Sequence, residues 1–331
     1  MTGSRPRGMA GLHELLVHAS RTFAVGIEIL PRPLRDEITV AYLLLRVSDY
    51  LEDNEEIAGN EKVLLLEEWR RVLGGGPGRA ALIDRLGEAA DDTPDASVAR
   101  HAAHVLEGLD RLAPATREII VRRVRESSAG MARWTERGSE FGTEEDLDDY
   151  MHEVAGRVGH LLTELFAHRL SGLGRNRARM MALGREFGLA LQTVNVIRGL
   201  HEDRHRGWVY VPASFLPDGM DPGELFEPAN HAAAMTVLER LVEKADRHLA
   251  AARSYLRMIP RRYHRVRLFC LLPLLFAVRT LAISRTNPEV LDRETKMSRQ
   301  EVLTITRRAK LFGFSNRWIA RYCHRLAARG A

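Results

Sequence analysis

Residues 41–54 read AYLLLRVSDYLEDN. On an α-helix, Asp49, Glu52 and Asp53 stand at i, i+3 and i+4, so the three carboxylates share one face. Arg46 lies one turn earlier on that face, and Tyr42 one turn before Arg46. Leu43, Leu44, Val47 and Leu51 form the opposite, core-like stripe, and this period predicts a helix over 33–55. Three neighbouring carboxylates repel one another unless a cation sits among them. Oxygen donors suit Mg²⁺, which takes one or two carboxylates together with substrate phosphates. The same pattern is that of a solvated acidic face, and residues 41–54 alone leave both readings open.

The helical period extends outward from this stretch. Ala/Leu/Arg/Glu-rich segments predict helices at 10–29, 33–55, 60–73, 79–90, 97–112, 114–138, 144–170, 177–204, 229–258, 261–285 and 298–328. Gly/Pro/Asp-bearing breaks separate them, and no run of alternating strands appears. Thr143 ahead of Glu144, Glu145 and Asp146, and Ser298 three residues before Glu301, are helix-start signals. Without an internal repeat or a linker, the expectation is one all-α domain over 1–331. Residues 1–10 are expected to be disordered, and the helices to pack around a central cavity.

Composition bounds the function. Of 49 basic residues 45 are Arg, and the net charge is +5. Arg forks suit phosphate groups, although a general preference for Arg over Lys explains an excess this evenly spread. With no zinc-finger spacing and no basic-aromatic tract, nucleic acid is not expected as a partner. Cys270 and Cys323 make neither a disulfide framework nor a metal site, which fits a reducing compartment. The most apolar stretch, residues 268–282, is too short for a span and is interrupted by Pro273 and Arg279; it reads as a buried core helix. No apolar leader follows Met1, and the tail is basic and polar. The expected location is the cytoplasm, with peripheral membrane association as an option, and the expected state a monomer or homodimer.

A second polar face lies in LQTVNVIRGLHEDRHRGWVYVP, residues 191–212. On a helix, Gln192, Asn195, Gly199 and Asp203 form one stripe, with Glu202 beside it and Arg198 on its rim. Two such faces turned towards each other would hold Mg²⁺ ions around a diphosphate. By itself this face is also that of a polar helix near a loop.

Four blocks, taken together, resemble the squalene/phytoene synthase family, and squalene synthase-like bacterial members most of all. They are Ser20-Arg21-Thr22-Phe23; YLLLRVSDYLED at 42–53; the segment Tyr150 to Gly159 (YMHEVAGRVG); and QTVNVIRGLHED followed by RGWVYVP. The resemblance implies an isoprenoid synthase-type helical bundle that joins two prenyl diphosphates head to head. Farnesyl diphosphate would give presqualene diphosphate and a C30 product, and geranylgeranyl diphosphate a phytoene-type one. By the same resemblance Asp49, Glu52, Asp53, Asn195, Glu202 and Asp203 would bind Mg²⁺ or Mn²⁺, with Asp49 and Asp53 essential to catalysis. Ser20, Arg21, Tyr42, Arg46 and Arg198 would hold diphosphate oxygens. Tyr150 would assist proton handling or cation stabilisation. Phe23, Val154, Ala155, Gly156 and Gln192 would line the prenyl pocket. NADPH would serve members that reduce the product, through a site other than a Rossmann fold.

The sequence departs from this pattern in two places. Gly199 stands where the family has Asp, so one carboxylate is missing. Trp208 stands where the family commonly has Arg, with Arg204 and Arg206 just upstream. Three readings follow: the metal cluster is completed by other donors and head-to-head synthesis is retained; a single prenyl diphosphate is ionised, as in a terpene cyclase or another prenyltransferase; or the chain is an inactive lipid-binding relative, against which the intact first motif and Tyr150 argue. Glu153 and Arg157 read as a rim ion pair or, if they face the cavity, as polar groups that favour the single-ionisation route. His101, His104, His201 and His205 read as surface or core histidines, and Lys296 to Arg299 as a helix start or, by the resemblance, as a contact for a nicotinamide cofactor or a phosphate.

Overall fold

The computed structural model describes residues 8–328, with only the backbone at Arg21 and Thr22. Residues 1–7 of the stretch expected to be disordered lie outside the described residues, and α1 opens at Met9. The fold is all-α: among the described residues there is no strand. In chain order the helices are α1 (Met9–Ala19), α2 (Arg21–Ile29), α3 (Leu34–Asp53), α4 (Gly59–Leu73), α5 (Arg79–Gly87), α6 (Pro94–Arg100), α7 (Ala102–Asp110) and α8 (Pro114–Arg137). There follow α9 (Glu144–Met151), a π-helical turn (His152–Gly156), α10 (Arg157–Arg169), α11 (Arg177–His205), α12 (His231–Met258), α13 (His264–Ser284), α14 (Arg299–Phe312) and α15 (Asn316–Ala328).

The boundaries follow local chemistry. The segment expected as one helix over 10–29 breaks at Ser20, whose extended backbone ends α1 and whose Oγ accepts from Phe23 N at 3.3 Å to start α2. The segment expected over 97–112 breaks at His101, whose Nδ1 lies 2.7 Å from Ser97 O and competes for a helical carbonyl. The last expected helix breaks at 313–315, where Ser315 Oγ accepts from Trp318 N at 3.3 Å. Thr143 with Asp146 and Ser298 with Glu301 form reciprocal capping boxes, as their spacing predicted.

The chain forms two compact units, Met1–Arg137 with Leu161–Arg175, and Gly138–His160 with Asn176–Ala331. In the first, α3 packs against α6, α7 and α8. Leu43, Leu44, Val47 and Leu51, the stripe expected to be core, are fully buried, as is Val40. Its buried polar groups are paired: Trp69 Nε1 donates to Ser48 Oγ at 3.2 Å, and the Ser48 and Ser128 hydroxyls meet at 2.9 Å. Glu37 accepts from Arg169 Nε at 2.9 Å and Thr116 Oγ1 at 3.1 Å.

In the second unit α11 is the organising element, packed on α12, on the π turn and on α13. Two close approaches need glycine. A Cβ on Gly159 would lie 1.9 Å from Gly184 O, and one on Gly188 2.2 Å from Ala155 O. The apolar stretch at 268–282 lies within α13, long and apolar enough to cross a membrane, but 83% of its apolar window is buried, as in a core helix. Arg267 on this helix is buried and donates to Leu256 O at 2.8 Å, Ile259 O at 2.6 Å and Asn316 Oδ1 at 2.6 Å.

Candidate functional site

The first candidate cluster is built on α3. Its core stripe fixes the helix roll, so Tyr42, Arg46, Asp49, Glu52 and Asp53 come to the opposite, partly open side. Arg46 Nη1 donates to Asp49 Oδ2 at 2.9 Å, and its Nη2 forms an ion pair with Asp95, in the first turn of α6. Burial pushes the Asp49 carboxyl up to about 7: Arg46 pulls it down, Asp53 and Asp95 push it further up. Glu52 is also raised well above the usual range, by burial first and then by Asp53 and Asp49, against the opposing pull of Lys62. Lys62 Nζ donates to the backbone Glu52 O at 2.6 Å. Burial raises the Tyr42 hydroxyl, Arg46 and Ser20 pull it back, and the exposed Phe23 ring lies 5.6 Å from that of Tyr42. The structure thus brings Ser20, Phe23 and Tyr42 together, with Arg46 and Asp49 paired close by. The Arg21 side chain lies outside the described residues. Asp95 was missed: after Thr93-Pro94 it reads as an ordinary first-turn acid, with nothing to link it to Arg46.

The second cluster is built on α11, α9 and the segment after α11. Gln192 Oε1 accepts from Asn195 Nδ2 at 3.5 Å. Arg198, expected to face a diphosphate, pairs with Glu294 at 3.1 Å, and Glu294 also pairs with Lys296. Glu202 Oε2 is buried with no hydrogen-bond partner. A Cβ on Gly199 would lie 3.1 Å from Asp203 Oδ2, so a carboxylate added there would stand beside Asp203. His201 is held by Leu291 O at 3.2 Å and by His205 Nε2 at 3.2 Å, satisfied within its own surroundings.

Tyr150 sits in an aromatic stack. Its ring lies 5.2 Å from Tyr210, 6.2 Å from Trp208 and 5.7 Å from Phe141, and its hydroxyl is 3.2 Å from that of Tyr210. Phe141 and Tyr210 were not singled out from the sequence; Tyr210 lies inside the quoted RGWVYVP block. Val154 and Ala155 are half-buried, and Gly156 is buried where a Cβ would meet His152 Nδ1 at 2.4 Å and Leu189 at 3.2 Å. Small size at Gly156 therefore lets α11 close on the π turn. Glu153 and Arg157 pair at 2.9 Å, as their spacing suggested. Arg204, one of the two arginines near the departure at Trp208, lies over the Phe226 ring at 4.8 Å.

The donor chemistry of each cluster fits a hard divalent cation. Asp49 and Glu52 are raised by burial and by their acidic neighbours, and Glu202 buries an oxygen without a donor. Among the described residues no three His, Cys, Asp or Glu side chains stand close enough to enclose an ion unaided.

Fold and clusters together define an all-α protein of the isoprenoid synthase type, with acidic segments on two of its long helices. The chain belongs to the squalene/phytoene synthase family, whose model matches residues 16–301. It is 32% identical to squalene synthase BSS of Botryococcus braunii over 94% of its length, and 32% identical to squalene synthase ERG9 of Candida albicans over 86%. The chain spans about two thirds of these relatives, 66% and 64% of their lengths. A solved complex of TcSQS with the ligand BPH1237 matches 97% of this chain and 92% of that one, with TM-score 0.82 and 25% identity. A dehydrosqualene synthase complex shares the fold, with TM-score 0.62 and 18% identity over 92% of this chain and 95% of that one.

Proposed function

We propose that the protein is a Mg²⁺-dependent prenyl diphosphate transferase that joins two farnesyl diphosphates head to head, through presqualene diphosphate, to a squalene-type C30 hydrocarbon. The observation that carries this is the crowding on α3: two carboxyls pushed up by burial and mutual charge, beside an arginine held by Asp49 and Asp95. The relatedness to squalene synthases supports it.

In this reading Asp49, Glu52 and Asp53 hold Mg²⁺ on one helix, and Asn195, Glu202 and Asp203 hold it on the other. The bound ions would supply positive charge against the charge that develops on a departing diphosphate. Arg46, fixed by its two acids, would offer its remaining N–H groups to diphosphate oxygens, with Ser20, Arg21 and Tyr42 as further donors. Arg198, whose Nε faces Glu294, would likewise offer its remaining N–H groups. Phe141, Tyr150, Trp208 and Tyr210 would turn π-electron density towards an allyl cation and keep water from it. The hydrogen bond between the Tyr150 and Tyr210 hydroxyls would hold the Tyr150 oxygen in place to handle a proton.

Gly199 favours a second reading, in which only one diphosphate is ionised and the product is a cyclic or otherwise transferred prenyl group. The test incubates purified protein with Mg²⁺ and farnesyl or geranylgeranyl diphosphate, with and without NADPH, and analyses the organic extract. A C30 hydrocarbon supports the first reading, and its dependence on NADPH shows whether reduction completes the reaction. A C40 product moves the substrate to geranylgeranyl diphosphate, a cyclic C15 or C20 product supports the second reading, and no turnover overturns both.

A further inference from the structure

The C-terminal helical pair concentrates charge and apolar surface in one place. Residues 299–331 carry seven Arg and one Lys against one Glu; of the chain's net +5 this segment holds +7 and everything before it −2. The single acid, Glu301, is committed to Arg279 at 2.8 Å and to the Ser298 cap. Arg307, Arg308, Lys310, Arg317, Arg321 and Arg325 are all exposed.

Apolar side chains stand among these cations. Leu311, Phe312 and Phe314, at the corner between α14 and α15, are 65%, 46% and 53% exposed. The Phe312 ring lies 5.7 Å from Trp318, which stacks on Tyr322 at 4.7 Å, and Arg308 and Arg325 lie over Tyr322. Beside Trp318 an open hollow of about 870 Å³ is flanked by Arg317, Arg321, His324 and Arg325. Consecutive large apolar side chains left in water at a helix corner mark a binding surface.

We propose that this corner docks on an anionic phospholipid bilayer: Leu311, Phe312 and Phe314 enter the headgroup–acyl boundary and the surrounding arginines meet lipid phosphates. Charge complementarity argues for this occupant. Aromatic residues favour the bilayer interface, and each cation near an anionic leaflet adds attraction. Exposed leucine and phenylalanine would gain nothing from a nucleic-acid backbone, which the arginines alone could bind. The docking is separate from whichever prenyl diphosphate is turned over. It would keep the enzyme at the phase that takes up a long hydrocarbon product.

The test is co-sedimentation of the full chain with vesicles of phosphatidylcholine alone and of phosphatidylcholine mixed with phosphatidylglycerol, at low and high salt. The wild-type protein should pellet with the phosphatidylglycerol vesicles, less so as salt rises, and weakly with phosphatidylcholine alone. Two double variants, Phe312→Ser/Phe314→Ser and Arg317→Glu/Arg321→Glu, should each lower the vesicle-bound fraction constant by about tenfold or more. Farnesyl diphosphate turnover in detergent should stay unchanged, and circular dichroism shows which variants are folded. Failure of the wild type to bind phosphatidylglycerol vesicles overturns the proposal, as does vesicle binding unchanged in both folded variants. It is also overturned if light scattering shows that the charge reversal abolishes a dimer of the free protein, or if RNA competes the protein off the vesicles at lower concentration than the lipid binds it.

Discussion

Replacing Asp49 by Asn should make the metal-free protein more stable at neutral pH while removing its response to Mg²⁺. The Asp49 carboxyl titrates at about 7 in the folded chain and near 3.9 in an unfolded one. A raised folded pKa stabilises the fold fully below about pH 4, and that contribution is lost as pH climbs through 7. Three units at 1.36 kcal/mol each set a ceiling of about 4 kcal/mol on the cost of ionising Asp49. The Asp49 side chain is a quarter exposed, so water screens part of this, and about 2 kcal/mol is the working figure. Asparagine keeps a carbonyl oxygen to accept from Arg46, so the gain should survive as a melting point roughly 3–5 °C higher at pH 8 in EDTA. The variant should match the wild type near pH 4, and Mg²⁺ with inorganic pyrophosphate should raise the melting point of the wild type alone. Thermal melts by circular dichroism from pH 4 to 8 give both readings. Equal pH slopes for wild type and variant, or a Mg²⁺ shift that persists in Asp49→Asn, would refute the argument.

Gly199→Asp should set a second carboxylate beside Asp203 and lower the Mg²⁺ concentration for half-maximal turnover several-fold; a metal titration of product formation checks it, and a change of product would favour the single-ionisation reading. Trp208→Ala removes one face of the aromatic stack around Tyr150, so the fraction of prenyl alcohol formed by water capture should rise, read by gas chromatography of the extract, with about 1–3 kcal/mol lost in stability. Glu164, buried between Arg122 at 2.8 Å and Arg123 at 2.7 Å, is held down to about 2. Its contribution is present above about pH 4.5 and is lost as pH falls through 2. Glu164→Gln should therefore cost about 2–3 kcal/mol in urea melts at pH 7 and roughly half of that or less at pH 3.

The parts of the fold that were legible in the sequence rest on short-range periodicity. The roll of α3, the capping boxes at Thr143 and Ser298, and the Glu153–Arg157 pair each involve residues three or four apart, within reach of a helical pattern. The grip of Asp95 on Arg46, the capture of Arg198 by Glu294 and the packing of Phe141 on Tyr210 join different elements, and no local spacing encodes them. The breaks at Ser20 and His101 were missed for another reason. Each depends on one polar side chain winning a backbone partner from the helix, a contest that the apolar period does not register.

The π turn at His152–Gly156 has a consequence for how this chain tolerates changes of length. A π turn holds one residue more than the α-helical turn it replaces, so every side chain beyond it is rotated by about 100° from where an unbroken helix would put it. The phase set this way lays Gly159 against the Gly184 carbonyl, where no side chain fits. Loss of a single residue between His152 and Gly156 would restore a regular helix and keep Gly159 on that carbonyl, whereas loss of Arg157 or Val158 would carry the His160 side chain onto it. The π turn can therefore give up one residue without moving Gly159, as the surface loop at 216–222 can change length, whereas the regular turn that follows it cannot.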